Sequence, residues 1–191
     1  MSLIKLFLDT EFTGLHQNTT LISLALVTEN DQYFYAEFTD YDKSQLNDWL
    51  RTNVMASLTV SENCFDPLNF RIKGDKYEVK TAMKIWLDII LRNKPAGSKI
   101  LVVGDVMHYD WVLFCEIFGG AFDIPSTILN YPIDASVLFH FVEGDMEKER
   151  YKYVEAELTE QEIGEYKKHH ALYDAIILKK CYSKLINKAK T

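Results

Sequence analysis

Apolar positions along this chain fall first into short unbroken runs and later into spaced stripes. Residues 4–9 form a nearly continuous apolar run, the pattern of a strand buried on both faces. A turn signal at Thr13-Gly14 separates it from a second run over 21–28, LISLALVT. Asn30-Asp31 is a hairpin signal, and YFYAEF at 33–38 reads as a third strand. The first third therefore predicts a three-stranded antiparallel meander. Residues 43–53 suit a short helix, and 54–74 read as irregular. From 77 to 92 the apolar residues Val79, Met83, Trp86, Leu87 and Ile90 form one helical stripe, ended by Pro95 and Gly97. Residues 100–103 predict a buried strand, 111–118 a helix closed by Gly119-Gly120, and 131–134 a short edge strand. Residues 145–168 are charged and predict an exposed excursion; 171–187 predict the last helix. The order β-β-β-α-β-α-β-α implies an α/β fold: a mixed five-stranded sheet flanked by helices, in a single domain over 1–191. The segments 54–74 and 145–168 are then insertions or lids.

Composition narrows the class without naming a function. The 191 residues are 48% apolar, a globular make-up able to support a real core. The net charge of −7 argues against a protein that coats nucleic acid, but not against an enzyme holding divalent cations. Cys64, Cys115 and Cys181 are too few and too scattered for a disulfide framework or a zinc site. The opening MSLIKLFLDTEF lacks a secretory pattern, and the apolar stretch 83–91 contains Lys84 and Asp88 and is too short to span a bilayer. A cytoplasmic protein with no membrane partner is the expectation.

Four acids stand out against this pattern. Asp9 and Glu11 end the first strand two positions apart, so they share one face. Adjacent carboxylates repel, and a divalent, oxygen-seeking cation resolves the conflict; a solvated strand end is the plainer account of this pair alone. Asp110 stands near the start of a helix, where it suits an N-cap as well as a ligand. Asp174 lies among Ala171, Leu172, Ala175 and Ile176, where an acid needs a partner; Lys80 or Lys84 would supply one. Of the two adjacent histidines, His170 shares a helix face with Asp174, while His169 falls in the loop before it.

The motifs D-T-E-F-T-G-L at 9–15, a strand followed by Y-D at 109–110, and H-x4-D at 169–174 resemble the DEDDh branch of the 3′-5′ exonucleases. That superfamily includes ribonuclease T, oligoribonuclease and the proofreading subunit of bacterial DNA polymerase III. The likeness is greatest to small bacterial exoribonucleases with a D-T-E-F first motif. It implies a ribonuclease H-like fold and hydrolysis of single-stranded RNA or DNA from the 3′ end to nucleoside 5′-monophosphates. It also implies two Mg2+ or Mn2+ ions held by Asp9, Glu11, Asp110 and Asp174, with His169 as general base. In the family, the stretch matching Phe12, Thr13, Gly14 and Leu15 meets the terminal nucleotide, and the apolar residue after the glycine wedges against its base. Homodimers occur among family members of this size. One departure is Val106, where many members carry Asn; Asp105, one place earlier, reads as a turn residue. Arg71, Lys73, Lys167 and Lys168 are candidate sources of local positive charge. A DNA exonuclease, a hydrolase of small nucleotides and an inactive nuclease-fold scaffold are the competing readings.

Overall fold

A computed structural model of the chain describes residues 2–165 and 167–190. The strands are β1 (Leu3–Phe12), β2 (Leu21–Thr28), β3 (Tyr33–Phe38), β4 (Cys64–Phe65), β5 (Asn69–Gly74), β6 (Lys99–Gly104) and β7 (Ile133–Asp134). The α-helices are α1 (Asp48–Asn53), α2 (Lys76–Leu91), α3 (His108–Phe118), α4 (Ala135–Glu143), α5 (Arg150–Val154), α6 (Glu160–Glu165) and α7 (Ala171–Lys188). The strands form one mixed sheet in the order β4-β5-β3-β2-β1-β6-β7. β1, β2 and β3 pair antiparallel as the meander requires, while β6 pairs parallel to β1 and β5 parallel to β3.

Strand alternation divides the core into two layers. Leu6, Leu8, Leu24, Leu26, Phe34 and Val102 face α2 and α3, meeting Met83, Trp86 and Phe114. Phe7, Ala25, Val27, Tyr35 and Val103 face α7, meeting Ala171, Ala175, Leu178 and Tyr182. β2 is buried at every position, which explains its lack of polar alternation. α2 begins with a capping box in which Asp75 and Glu78 satisfy each other's backbone N–H groups, fixing where the apolar stripe starts.

The sheet has seven strands among the described residues, not five. The two additions lie inside 54–74. β5, NFRIKG, buries Phe70 and Ile72 and turns Arg71 and Lys73 outward, a short alternation whose pairing to β3 no local signal reveals. α4, ASVLFHFVE, is a further helix beyond the predicted order, since its Val and Phe residues fit a strand as well as a helix. The 145–168 segment is not simply solvated. Tyr151, Tyr153, Val154 and Leu158 pack with Phe139, Ile177, Cys181 and Leu185 against α4 and α7. No helix among the described residues is long and apolar enough to cross a membrane.

Candidate active site

Asp9 and Glu11 follow Phe7 on the α7 side of β1, so the alternation that buries Phe7 aims both acids at the start of α7. Asp174 lies in the first turn of that helix. One carboxylate oxygen from each of Asp9, Glu11 and Asp174 lies within 4.8 Å of the others. The fourth acid arrives from the opposite layer. Asp110 sits in the first turn of α3, whose N-cap is Met107 rather than Asp110. Its Oδ1 accepts from the Thr10 backbone N–H (3.0 Å) and the Thr10 hydroxyl (2.7 Å), so β1 holds acids on one face and tethers Asp110 with the residue between them. Gly104 ends β6 where a Cβ would lie 2.7 Å from Met107 Cβ, so its lack of a side chain lets the chain turn tightly into α3.

The electrostatics are unfavourable for the protein alone. Burial, then Asp174, Asp110 and Glu11, hold the Asp9 carboxyl well above the usual range. Burial, then Asp174 and Asp110, push Glu11 up to about 8. Burial raises Asp110 to about 6 against the lowering effect of its Thr10 hydrogen bonds. Oxygen donors this close and this desolvated suit a hard divalent cation, whose charge would hold all of them ionised. No salt bridge from Lys80 relieves Asp174: Lys80 Nζ donates to the Phe118 carbonyl. Asp174 Oδ2 instead accepts from the His169 backbone N–H at 3.0 Å.

The two histidines have different surroundings. His169 is half-buried, with φ of 62°, and its ring meets the edge of Trp49 at 4.9 Å. Burial, then Lys168, lower its pKa below the usual value, favouring the neutral imidazole. His170 is 1% exposed, stacks on Tyr35 at 4.7 Å and has its pKa pushed down to about 4, chiefly by burial. Trp49, 52% exposed on α1, is a site neighbour that the sequence does not single out. Its indole is one of many aromatics, and only the fold brings it beside His169.

The β1–β2 connection carries the other candidates. Phe12 stacks on Tyr109 at 5.5 Å, which links it to α3. Thr13 is buried, and its hydroxyl bonds Gln45 and accepts from the Thr20 N–H, so its side chain braces the turn. The Gly14 N–H donates to the Thr19 hydroxyl at 3.0 Å, and Leu15 is 77% exposed at the tip. Asp105 lies in the bend after β6, and Arg150 forks onto both its oxygens at 2.8 and 2.9 Å. Arg71 is engaged by the Tyr33 hydroxyl and Lys73 by Glu37, so neither is a free cation. A cleft of about 740 Å3, lined by His16, Tyr41, Lys76 and Tyr109 among others, includes none of the four acids.

The β-β-β-α-β-α order with acids at the end of β1 and on the last helix describes a ribonuclease H-like α/β fold. Solved structures agree: over 97% of its length the chain superposes on cell-death related nuclease 4 (CRN-4), with a TM-score of 0.62 and 16% identity. It spans 63% of that protein's length. In sequence, the chain is 25% identical over 128 residues to a protein named 3′-5′ exoribonuclease in two strains of Mycobacterium tuberculosis, CDC 1551 / Oshkosh and ATCC 25618 / H37Rv. That match covers 67% of this chain and 69% of each relative. No family model matches. The structural likeness shows the fold, and the sequence likeness is to proteins named 3′-5′ exoribonuclease.

Proposed function

We propose that this chain is a metal-dependent 3′-5′ exoribonuclease that shortens single-stranded RNA from its 3′ end, releasing nucleoside 5′-monophosphates. The observation that carries the reading is the convergence of Asp9, Glu11 and Asp174 within 4.8 Å, with His169 bonded through its backbone to Asp174. The names of the mycobacterial relatives support RNA as the polymer.

Asp9, Glu11, Asp110 and Asp174 would hold two Mg2+ or Mn2+ ions. Bound there, such ions supply an activated water and stabilise the departing 3′ oxygen. The protein's own contributions are positional and protonic. Thr10 fixes the Asp110 carboxylate with two hydrogen bonds, so that acid does not reorient. His169, kept neutral by its surroundings, takes the proton of the attacking water at an imidazole nitrogen. His170 is unsuited to that task, because it is enclosed by Tyr35, Thr59 and Tyr173. Trp49 beside His169, and Leu15 exposed at the turn that follows the first two acids in sequence, offer apolar surface that suits an unstacked terminal base.

The test uses 5′-labelled single-stranded RNA and DNA of one sequence, with Mg2+, Mn2+ or chelator, beside the Asp9→Asn protein. A metal-dependent ladder shortening from the 3′ end of RNA, and absent from the variant, is the expected result. Faster cleavage of DNA would reassign the polymer. Hydrolysis confined to free nucleotides, or no cleavage of any substrate in either metal, would overturn the reading.

A further inference from the structure

Glu37 is a buried carboxylate that the chemistry above does not use. It lies on β3, is 1% exposed, and faces the α7 layer beside Tyr35. Its Oε1 collects three donors: the Thr59 N–H at 2.6 Å, the Val60 N–H at 2.8 Å and the Tyr35 hydroxyl at 3.2 Å. Its Oε2 lies 3.3 Å from Lys73 Nζ. Burying a carboxylate is costly unless it is fully partnered, so a cheaper residue would serve if packing alone were needed. What these bonds fix is the 57–60 segment, which has no regular structure after its 3₁₀ turn.

That segment in turn grips the two histidines. The Ser57 hydroxyl lies 2.8 Å from the His169 carbonyl and 2.7 Å from the Val54 carbonyl, and its single proton serves both. The Thr59 hydroxyl shares a hydrogen bond with His170 Nε2 at 3.2 Å. The other side of the His170 ring environment is Tyr35, the same tyrosine that donates to Glu37. His169 has a left-handed backbone, a conformation a side-chain-bearing residue keeps only where its surroundings hold it. Its N–H is held by Asp174, its carbonyl by Ser57 and its ring by Trp49.

We infer that Glu37 and Ser57 are positioning residues for His169: Glu37 anchors the 57–60 segment to the sheet, and Ser57 passes that anchorage to the His169 backbone. This rests on the reading of His169 as the base. Neither residue belongs to the group of acids that would hold metal.

The test is a double-mutant cycle on the full chain. Ser57→Ala and Glu37→Met are each expected to lower kcat on RNA at least tenfold, with KM changed less than threefold. Glu37→Gln, which keeps an acceptor for the Thr59 and Val60 N–H groups, is expected to recover most of the rate. In a His169→Ala background, Ser57→Ala should cost less than threefold, because nothing remains to be positioned. An equal loss with and without His169, or no loss at all, overturns the inference. Should the wild-type chain cleave nothing, the functional reading fails alone, and the ring resonances of His169 decide the positioning claim. Ser57→Ala should then move the His169 signals while leaving those of His16 and His108 in place; unmoved His169 signals would sink it.

Discussion

At Glu11, burial and neighbouring charge push in one direction, and stability inherits the result. Its carboxyl titrates near 8 in the fold against an ordinary 4.5, so between those values the folded chain holds a proton that the unfolded chain has released. Metal-free protein therefore loses stability as pH rises from about 4.5 to about 8. Asp110, raised from 3.8 to about 6, adds to the loss over its own lower interval. Thermal melts in chelator at pH 5 and pH 8 should show the fall, and Mg2+ or Mn2+ should recover it at pH 8. A melting temperature indifferent to both pH and metal would contradict this account. Glu11→Gln should flatten the slope while costing several orders of magnitude in nuclease rate, since a carboxylate donor is lost where the electrostatic contribution dominates. At Trp49, truncation to Ala removes both the edge contact to His169 and the apolar surface offered to a base. A loss of about 1–3 kcal/mol in kcat/KM, roughly 5- to 150-fold, is expected on RNA, with Trp49→Phe retaining most activity. Steady-state rates for the two variants would separate these cases.

Among the elements, the turn from β6 into α3 is where geometry is bent to serve the acids. Val106 there has φ of 49°, a region hostile to a β-branched residue and costing on the order of 1–3 kcal/mol. Val106→Gly should relieve that strain by more than the extra flexibility costs, raising the melting temperature by roughly 2–4 °C for about 1 kcal/mol. A clear fall in a thermal melt would show that the valine side chain contributes more than its backbone gives away. The meander, α2 and α7 were legible in the chain because each buries a long apolar pattern of one period. β5 was not, because its alternation spans only Phe70 to Lys73 and its partner β3 lies far away in sequence. The acids were legible as motifs because each sits at the end of a readable element. Their supports were not: Ser57 meets His169 across 112 positions, and Glu37 looks like one more polar residue in an aromatic strand. Pairings of that kind have no local signature, and only the folded chain displays them.

Over the whole molecule, an acid outside the site responds to protons in the opposite sense to those within it. Glu143 closes α4 with its side chain 6% exposed, and hydrogen bonds from Lys188, Lys148 and Tyr153 pull its pKa down to about 2. A depressed carboxyl stabilises the fold above its ordinary 4.5 and loses that contribution as pH falls toward 2. Metal-free protein should thus be most stable in mildly acidic solution, between the range that weakens Glu143 and the range that ionises Glu11. Glu143→Gln should remove part of the acid-side decline in a pH series of melts and leave the alkaline side unchanged; an unaltered acid limb would sink the assignment. The order of the ligands along the chain has a consequence for synthesis. Asp9 and Glu11 leave the ribosome first, and Asp174 is added 163 positions after Glu11, or roughly 8–30 s of translation at about 5–20 residues per second. Until residue 110 is made the growing polypeptide carries two of the four acids, and until residue 169 it lacks the proposed base, so under the proposed function it is harmless to the messenger still threaded beside it. Stalled nascent chains halted before residue 169 should leave added RNA intact, while chains released after α7 is complete should degrade it.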